Sequence, residues 1–415
     1  MSAAAADAAL STTAPASFSF DVVIIGAGLP GLALALALRG SGLTVALVDR
    51  RRPAVEAAAG IDCGDESDAW DSRIYAISPG NARFLDAIGV WPRMDVERIS
   101  AIETMRIFGD RAGTQVDFSA FDSGTRALAW IVEQRELMSA TLDAWADSGA
   151  EPLFSGAAPA ALTHDGDRQR LALKDGTVLS ARLVVGADGL QSWTRQQAGI
   201  AALPHAYGHT AVVANFTIGG RHHGRAWQWF QPDGGVMAWL PLNGQRMSIV
   251  WSVPDATAAD LLALGDYAFA ESVSAVGAAA APGIGRLQLL TARASFPLSR
   301  FSLRTPIARR LALVGDAAHG IHPLAGQGLN LGYGDVRALA AVLNDRSPIG
   351  DPGDRLVLGR FARSRAFPNG AMSIVTDGLW RLFKTPAAAY ARNGGMSVFN
   401  RLQWAKAILM QPAMR

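Results

Sequence analysis

Residues 21–50, DVVIIGAGLPGLALALALRGSGLTVALVDR, spell a complete strand, turn, helix and second strand. Val22 to Ile25 is an unbroken apolar run, the pattern of a parallel strand buried on both faces. Gly26, Gly28 and Gly31 follow with the spacing GxGxxG. The first permits a tight turn, the second lets a pyrophosphate approach the backbone, and the third allows close packing of helix on strand. The helix start that comes next offers N–H groups and the positive end of a dipole, which makes it an anion site. Leu32 to Arg39 supplies the apolar helix, and Gly40 and Gly42 stop it. Thr44 to Val48 is the second strand, and Asp49, 18 positions beyond Gly31, stands where a ribose hydroxyl is held. An acid there, instead of an arginine, favours a free 2′-hydroxyl, which both FAD and NAD carry. The turn alone would mean little in a chain with 43 glycines. The strand before it, the helix after it and the terminal acid supply the context that the pattern needs.

At 415 residues the chain is too long for one ordinary core and points to about two domains. Half of it is hydrophobic and 18% is charged, which is the composition of a folded protein. A net charge of +2 argues against a bulk nucleic-acid binder. The single cysteine, Cys63, excludes an internal disulfide and fits a reducing compartment. No Cys, His and carboxylate cluster has metal-ligand spacing, and His222 and His223 lie beside glycines in an expected turn. Residues 1–17 are rich in Ala, Ser and Thr and lack Lys and Arg, so they read as a loose tail and not as a targeting signal. No stretch of 18 residues is apolar enough, and free enough of Gly and charge, to span a bilayer. The expected location is therefore cytoplasmic.

Downstream of a mixed segment over 50–71, Ser78 and Pro79 mark the start of a helix carrying Phe84, Leu85 and Ile88. Residues 102–121 alternate like strands, and 131–145 carry a helical apolar face. Asp175-Gly176 is a two-residue hairpin signal whose second strand runs into Gly186-Ala187-Asp188-Gly189. From Thr210 to Val253, short strands separated by Asp233-Gly234 and Asn243-Gly244 predict an antiparallel meander. Its aromatic residues Trp227, Trp229, Phe230, Trp239 and Trp251 read as core, the alternative being one face that lines a pocket for an apolar aromatic ligand. Leu311 to Val314 is another buried strand, ending in GDAAHGIHPLAGQGLNLGYGD and a helix over about 329–343. Glycines 315, 320, 326 and 328 together with Asp316 exceed what a capping turn needs, so this second glycine-rich loop is also a ligand-site candidate at a strand's carboxyl end.

From Gly378 to Arg415 there are six basic residues, Arg381, Lys384, Arg392, Arg401, Lys406 and Arg415, and no acid. Phe399, Leu402, Ala405 and Leu409 fall near one helical face with Arg401 and Lys406 off it. That pattern suits a helix on an anionic bilayer, or equally one packed on its own domain or on a partner.

Three separated motifs, GAGLPG at 26–31, GADG at 186–189 and GDAAHGIHPLAGQGLNLG at 315–332, resemble the class A flavin-dependent monooxygenases. Within these, DSRIYAIS, WIVEQREL and the basic tail are similar to the ubiquinone-biosynthesis hydroxylases, the UbiH/UbiF/VisC group, over nearly the whole chain. The resemblance implies tightly bound FAD and a transient NADPH or NADH co-substrate. It assigns Gly26, Gly28, Gly31 and Asp49 to the ADP end, and Arg73 and Gln134 to the flavin or its phosphates. Asp188 is implied for FAD and reduced nicotinamide, Asp316 for the ribityl and pyrophosphate, and Pro323, Gly328, Leu329 and Asn330 for the loop beside the isoalloxazine ring. Oxygen chemistry then belongs to the cofactor, while the protein orients the reactants and excludes water. No catalytic base is assigned; His319 and His322 are expected to position the loop. A single GxGxxG and the lack of a CxxxxC pair set the chain apart from disulfide-reductase-type dehydrogenases.

The expected fold is α/β. An FAD-binding Rossmann-like domain (18–100, 129–200 and 292–363) is interleaved with a smaller antiparallel-sheet substrate domain (101–128 and 201–291), and a helical C-terminal segment (364–415) follows. The expected activity is hydroxylation of a hydrophobic, prenylated phenol in ubiquinone biosynthesis, with O₂ as co-substrate. Its rivals are a same-fold reductase of prenyl double bonds, a halogenase, and a flavin-binding scaffold subunit of a membrane-associated complex. The expected partners are the aromatic substrate, a quinone-biosynthesis assembly and the membrane's inner face through the basic tail, with no nucleic acid.

Overall fold

The computed structural model describes residues 16–55, 70–111, 113–149, 152–231, 233–277, 279–320, 327–366, 378, 382, 389–402 and 406. Its first sheet has eight strands: β1 (Ser17–Ile25), β2 (Val45–Asp49), β8 (Leu153–Ser155), β9 (Pro159–Asp165), β10 (Arg168–Leu173), β11 (Val178–Gly186), β18 (Ile307–Ala308) and β19 (Leu311–Leu313). The order β19-β11-β1-β2-β8 is parallel throughout. From β1 the chain first builds towards β2 and β8, then crosses to β11 and β19 on the other side. The switch point of the sheet therefore lies beside β1, where open α/β sheets bind ligands.

Alternation explains why β1 is apolar throughout. Val22, Ile24, Leu47 and Leu183 face a core shared with the helices α1 (Leu29–Ala37), α2 (Pro79–Ala87), α3 (Gln134–Ala146), α7 (Gln327–Asn344) and α8 (355–366). Val23, Ile25, Val48 and Val184 face a second core that includes Leu171, Leu173 and Leu313. Both faces are buried, as the unbroken VVII run requires.

The second sheet has nine strands: β5 (Thr104–Phe108), β6 (Gln115–Ser119), β12 (His205–Ile218), β13 (Arg225–Phe230), β14 (Val236–Leu242), β15 (Arg246–Pro254), β16 (Leu287–Leu289), β17 (Ala294–Ser302) and β20 (His319–Gly320). Strands β13, β14 and β15 form the expected meander, but β12 pairs with β15 and not with its sequence neighbour β13. Strand β17 belongs to this sheet, although residues from 292 onward were expected with the FAD-binding segments. Pro297 and the broken alternation of ASFPLSRFS hide it as a strand. A three-stranded sheet of β3 (Ile74–Ile77), β7 (Ala129–Glu133) and β4 (Ile99–Ile102) joins the two. Here WIVE opens as strand and the helix begins only at Gln134.

Trp227, Trp229, Trp239 and Trp251 all lie on the face of the second sheet covered by α5 (Asp255–Ala263) and α6 (Asp266–Gly277), so they are core. Gly277 is small because a Cβ there would sit 2.3 Å from the Trp239 ring. Phe230 is on the opposite face, with Val236 and Met396.

Met396 belongs to α9 (Ala389–Arg401), which docks on β6. Arg392 and Asp110 form a buried ion pair there, Asn393 donates to Asp110 at 2.7 Å, and Lys406 Nζ donates to the Asp117 carbonyl at 3.0 Å. Two of the six basic residues of the tail are thus engaged within the protein. Among the described residues no helix is long and apolar enough to cross a membrane.

Candidate flavin site

The carboxyl ends of β1, β2, β11 and β19 lie at one edge of the parallel sheet, because Ile25 pairs with both Val48 and Gly186, and Gly186 pairs with Leu313. The loops that leave them are stitched together: Gly26 N donates to Val48 O at 2.8 Å, Ala187 N to Ile25 O at 2.7 Å, and Val314 N to Gly186 O at 2.9 Å. The three glycines of the first loop then separate by role. A Cβ on Gly26, whose φ is 108°, would lie 2.4 Å from Ala187 O, and one on Gly31 would lie 1.8 Å from Gly26 O. A Cβ on Gly28 would meet nothing within 4 Å. Gly26 and Gly31 are demanded by the fold, whereas the space beside Gly28 is open at a helix start that has no side-chain cap and no acid in its first turn. A helix start of this kind would hold a pyrophosphate.

Asp49 is half-buried, and its Oδ2 accepts from Ala27 N at 2.8 Å, which fixes the acid against the glycine turn. Asp188 has its carboxylate occupied by Ser192 Oγ at 2.5 Å and, at the start of α4 (Trp193–Gln197), by Thr194 N and Oγ1 at 2.8 and 2.9 Å. It pins the turn that carries Ala187 against Gly26, so its observed work is to position the loop.

The second glycine loop reaches the first directly. A Cβ on Gly315 (φ 62°) would be 3.3 Å from the Pro30 ring, and one on Gly332 of α7 would be 3.2 Å from Gly315 Cα. Asp316 is exposed to solvent, yet burial by surrounding protein raises its carboxyl pKa against the opposing pull of His319 and Arg73. Arg73 lies over the Tyr75 ring at 5.9 Å and the Phe296 ring at 5.4 Å. Gln134 N donates to Arg73 O at 2.8 Å, and Tyr75 Oη donates to Gln134 Oε1 at 3.0 Å. Arg73, Gln134 and Asp316 therefore form one cluster, with Tyr75 as a member that the sequence reading did not single out.

Asn330 departs from a simple flavin contact. Its side chain accepts from Ser78 N and Asn81 Nδ2 at 3.0 and 2.9 Å and donates to Ala76 O at 2.7 Å, tying the start of α7 to β3 and α2. Leu329 packs on the helical core, Gly328 has open space beside it, and Pro323 and His322 lie outside the described residues. His319 is buried with Nε2 2.6 Å from Asp335 Oδ2, and Asp335 also accepts from Arg365 Nε at 2.7 Å and Gly315 N at 3.0 Å. Burial alone would raise the Asp335 carboxyl pKa and lower that of His319, but their mutual attraction outweighs it in both cases. This network braces the loop that carries Asp316. Asp335 ends the GQGLNLGYGD run and could have been flagged from it; Arg365 has no signal in the sequence.

A separate cavity of about 710 Å³ opens among α1, α2, α3 and α7, beside Arg39, Arg93 and Arg337. None of the glycine-loop residues lines it. Among the described residues no group of His, Cys, Asp and Glu could hold a metal.

FAD fits the residues at the sheet edge. Gly28 and the α1 start would hold the pyrophosphate, Asp49 the adenosine ribose, and Asp316, Arg73 and Gln134 the ribityl and ring end. When bound, FAD supplies the redox and oxygen chemistry.

Residues 19–347 match the family described as FAD binding domain. Ubiquinone hydroxylase UbiL of Rhodospirillum rubrum is 35% identical over 398 residues, covering 95% of this chain and 89% of that protein. The 3-demethoxyubiquinol 3-hydroxylase of Escherichia coli is 32% identical, covering 92% and 95%. Among solved structures, Pseudomonas aeruginosa PqsL in complex with 2-aminobenzoylacetate has the same fold, with a TM-score of 0.72 at 23% identity over 91% of this chain and 100% of that one. The chain belongs to the class A FAD-dependent monooxygenases, in the family of the ubiquinone-biosynthesis hydroxylases.

Proposed function

We propose that the chain uses FAD, NAD(P)H and O₂ to hydroxylate the aromatic ring of a hydrophobic, polyprenylated phenol in ubiquinone biosynthesis. One observation carries this reading. The sheet face that looks away from the tryptophan core and towards Arg73 is surfaced by small side chains, Val213, Val250 and Ala238, in one register row. A flat apolar ring can lie there against the flavin-side loops, and little water can accompany it. The protein's own contribution is to bind, orient and keep dry.

The purified protein should carry a flavin absorbance band, and a short-chain prenylphenol should raise both NAD(P)H and O₂ consumption. Labelled oxygen should enter the ring. Product without label would transfer the chain to the reductase or halogenase reading, and no bound flavin after gentle purification would remove it from this chemistry.

Peripheral attachment to the inner face of the membrane, and membership of a quinone-biosynthesis assembly, extend the same proposal. Arg401 and Val398 are exposed on α9, while Arg392 and Lys406 are not free to serve. Co-sedimentation with anionic vesicles that weakens on Arg401→Glu would support the attachment.

A further inference from the structure

Arg73 stands immediately before β3, and residues 70–73 belong to no helix or strand. The backbone there is held by Asp71, whose four polar groups are all engaged. Its N–H donates to Glu133 Oε1 at 3.2 Å, and its carbonyl accepts from Asn215 Nδ2 at 2.8 Å. Of its carboxylate, Oδ1 accepts from Arg73 N at 2.9 Å and Oδ2 from Arg135 N at 3.2 Å. One residue thus ties the approach to Arg73 to β7, α3 and β12.

Together with Glu133 it forms a capping box built across the chain. Glu133 is the N-cap of α3, yet its side chain makes no cap bond. The distant segment supplies the cap: Arg73 O accepts from Gln134 N at 2.8 Å, and Asp71 Oδ2 from Arg135 N. Glu133 in turn directs its carboxylate to Asp71 N, 62 positions away, where an ordinary box closes within about four residues. Glu133 is 1% exposed, with Arg98 Nη1 3.2 Å from its Oε2. Burial lifts its carboxyl pKa to about 7, against the pull of Arg98, of the Asp71 N–H and of Arg135. A helix start by itself does not call for a buried acid, since Ser or Thr caps one without the charge. What distinguishes this pair is the residues it fixes: Arg73 and Gln134, whose backbones it joins, and Tyr75, which donates to Gln134 Oε1 at 3.0 Å.

We propose that Asp71 and Glu133 are positioning residues for the flavin: the reciprocal pair sets Arg73 and Gln134 at one fixed spacing along its ribityl and ring end. The inference rests on the placement of FAD at the sheet edge given above. Arg73 is long and exposed, so where its guanidinium can reach depends on where its backbone is pinned. The two acids are not equivalent. Both oxygens of Asp71 accept from backbone N–H groups, so an amide there turns an NH₂ against one of them. Glu133 needs one accepting oxygen for Asp71 N, which an amide keeps.

The test titrates FAD into the full-length, flavin-free protein and reads Kd from flavin fluorescence, with the visible circular dichroism of the bound flavin reporting on its ring. Asp71→Asn should weaken FAD binding about tenfold and change the dichroism. Glu133→Leu should do the same, whereas Glu133→Gln should stay within about twofold of the wild type. Because the two acids act as one unit, Asp71→Asn combined with Glu133→Leu should bind little worse than either alone. Arg73→Ala, the control for the underlying site, should also lose about tenfold. If it binds FAD as the wild type does, the placement of the flavin falls and the inference with it. If Arg73→Ala weakens binding but Asp71→Asn and Glu133→Leu only lower the melting temperature, the pair is an ordinary cap and the inference alone is overturned. Equal losses in Glu133→Gln and Glu133→Leu would assign the effect to charge and overturn it too. The exchanges to Asn and Gln preserve shape, so the contrast between them stands even where Glu133→Leu does not fold.

Discussion

Gly28→Ala and Gly31→Ala differ by three positions and should fail in opposite ways. At Gly31 the added methyl would lie 1.8 Å from the Gly26 carbonyl oxygen, with the Gly26 carbonyl carbon at 3.0 Å. Carbon to oxygen contacts normally sit at about 3.3–3.6 Å, so α1 would have to retreat from β1 by roughly 1.5 Å. The obstacle is backbone on both sides and cannot rotate away. The cost should reach about 3 kcal/mol, the upper end for overpacking, and should appear in the flavin-free protein. At Gly28 the methyl meets no protein atom within 4 Å and φ is −79°, which alanine adopts freely. Flavin-free Gly28→Ala should therefore melt close to the wild type. Its defect should be in FAD affinity. Losing two amide bonds to a charged phosphate, at about 1.5 kcal/mol each, comes to roughly 3 kcal/mol, or about a hundredfold in Kd. Thermal melts of both flavin-free variants, with FAD titrated against intrinsic fluorescence, separate the two effects. A folded Gly28→Ala protein that binds FAD as tightly as the wild type would refute the assignment of this turn as the phosphate cradle.

Three further outcomes follow from buried charge. Burial raises the Glu133 carboxyl pKa to about 7 from 4.5, so stability present below pH 4.5 should drain away as the pH rises to 7, by about 3 kcal/mol. Urea unfolding of Glu133→Gln across that range should lack this slope, and curves parallel to the wild type would contradict it. Asp335→Asn strips the partner from buried His319 and Arg365, and should cost about 3–5 kcal/mol by chemical denaturation, as for any buried pair broken on one side. Arg392→Ala should release α9 from Asp110, seen as faster protease cleavage within 389–402 with the rest of the chain still resistant.

The sequence displayed its parallel strands and glycine loops because their signals are local. VVIIGAG, RLVVGADG and LALVGDAA each carry strand, turn and ligand residues within about ten positions. What it hid was set by contacts across the chain. Asn330 looks like a ring-loop residue in GQGLN, but the groups it binds are at 76, 78 and 81. Asp188 looks like a cofactor contact in GADG, yet Ser192 and Thr194, a few positions on, take its carboxylate. The capping pattern lies in the same stretch, Asp-Gly-Leu-Gln-Ser-Trp-Thr over 188–194, where the glycine motif overlaps it. The pairing of β12 with β15 was not legible, since adjacent strands in a meander are the default and only the sheet's closure on β17 decides otherwise. The tail's basic face was ambiguous for the same reason: Asp110 and Asp117, nearly 300 positions away, determine where Arg392 and Lys406 go.

The tryptophans show how one strand serves two purposes. In β15, Met247, Ile249 and Trp251 point to the helices, while Ser248 and Val250 occupy the alternate positions and so the other face. A slip of one residue would exchange the sets, turning an indole out of the helical core and the hydroxyls of Ser248 and Ser252 into it. The alternation of Met247, Ile249 and Trp251 with Ser248 and Ser252 favours the observed register, and packing reinforces it. Two features hold it. The turn at Asn243-Gly244 uses a positive φ of 72° at Gly244, with Gly244 N bonded to Asn243 Oδ1, and so fixes where β14 ends and β15 begins. The Trp239 ring fills the space beside Gly277, packing β14 against α6. The face that carries Asn215 and Ser248, and through Asn215 holds the Asp71 carbonyl, thus depends on packing on the far side of the sheet.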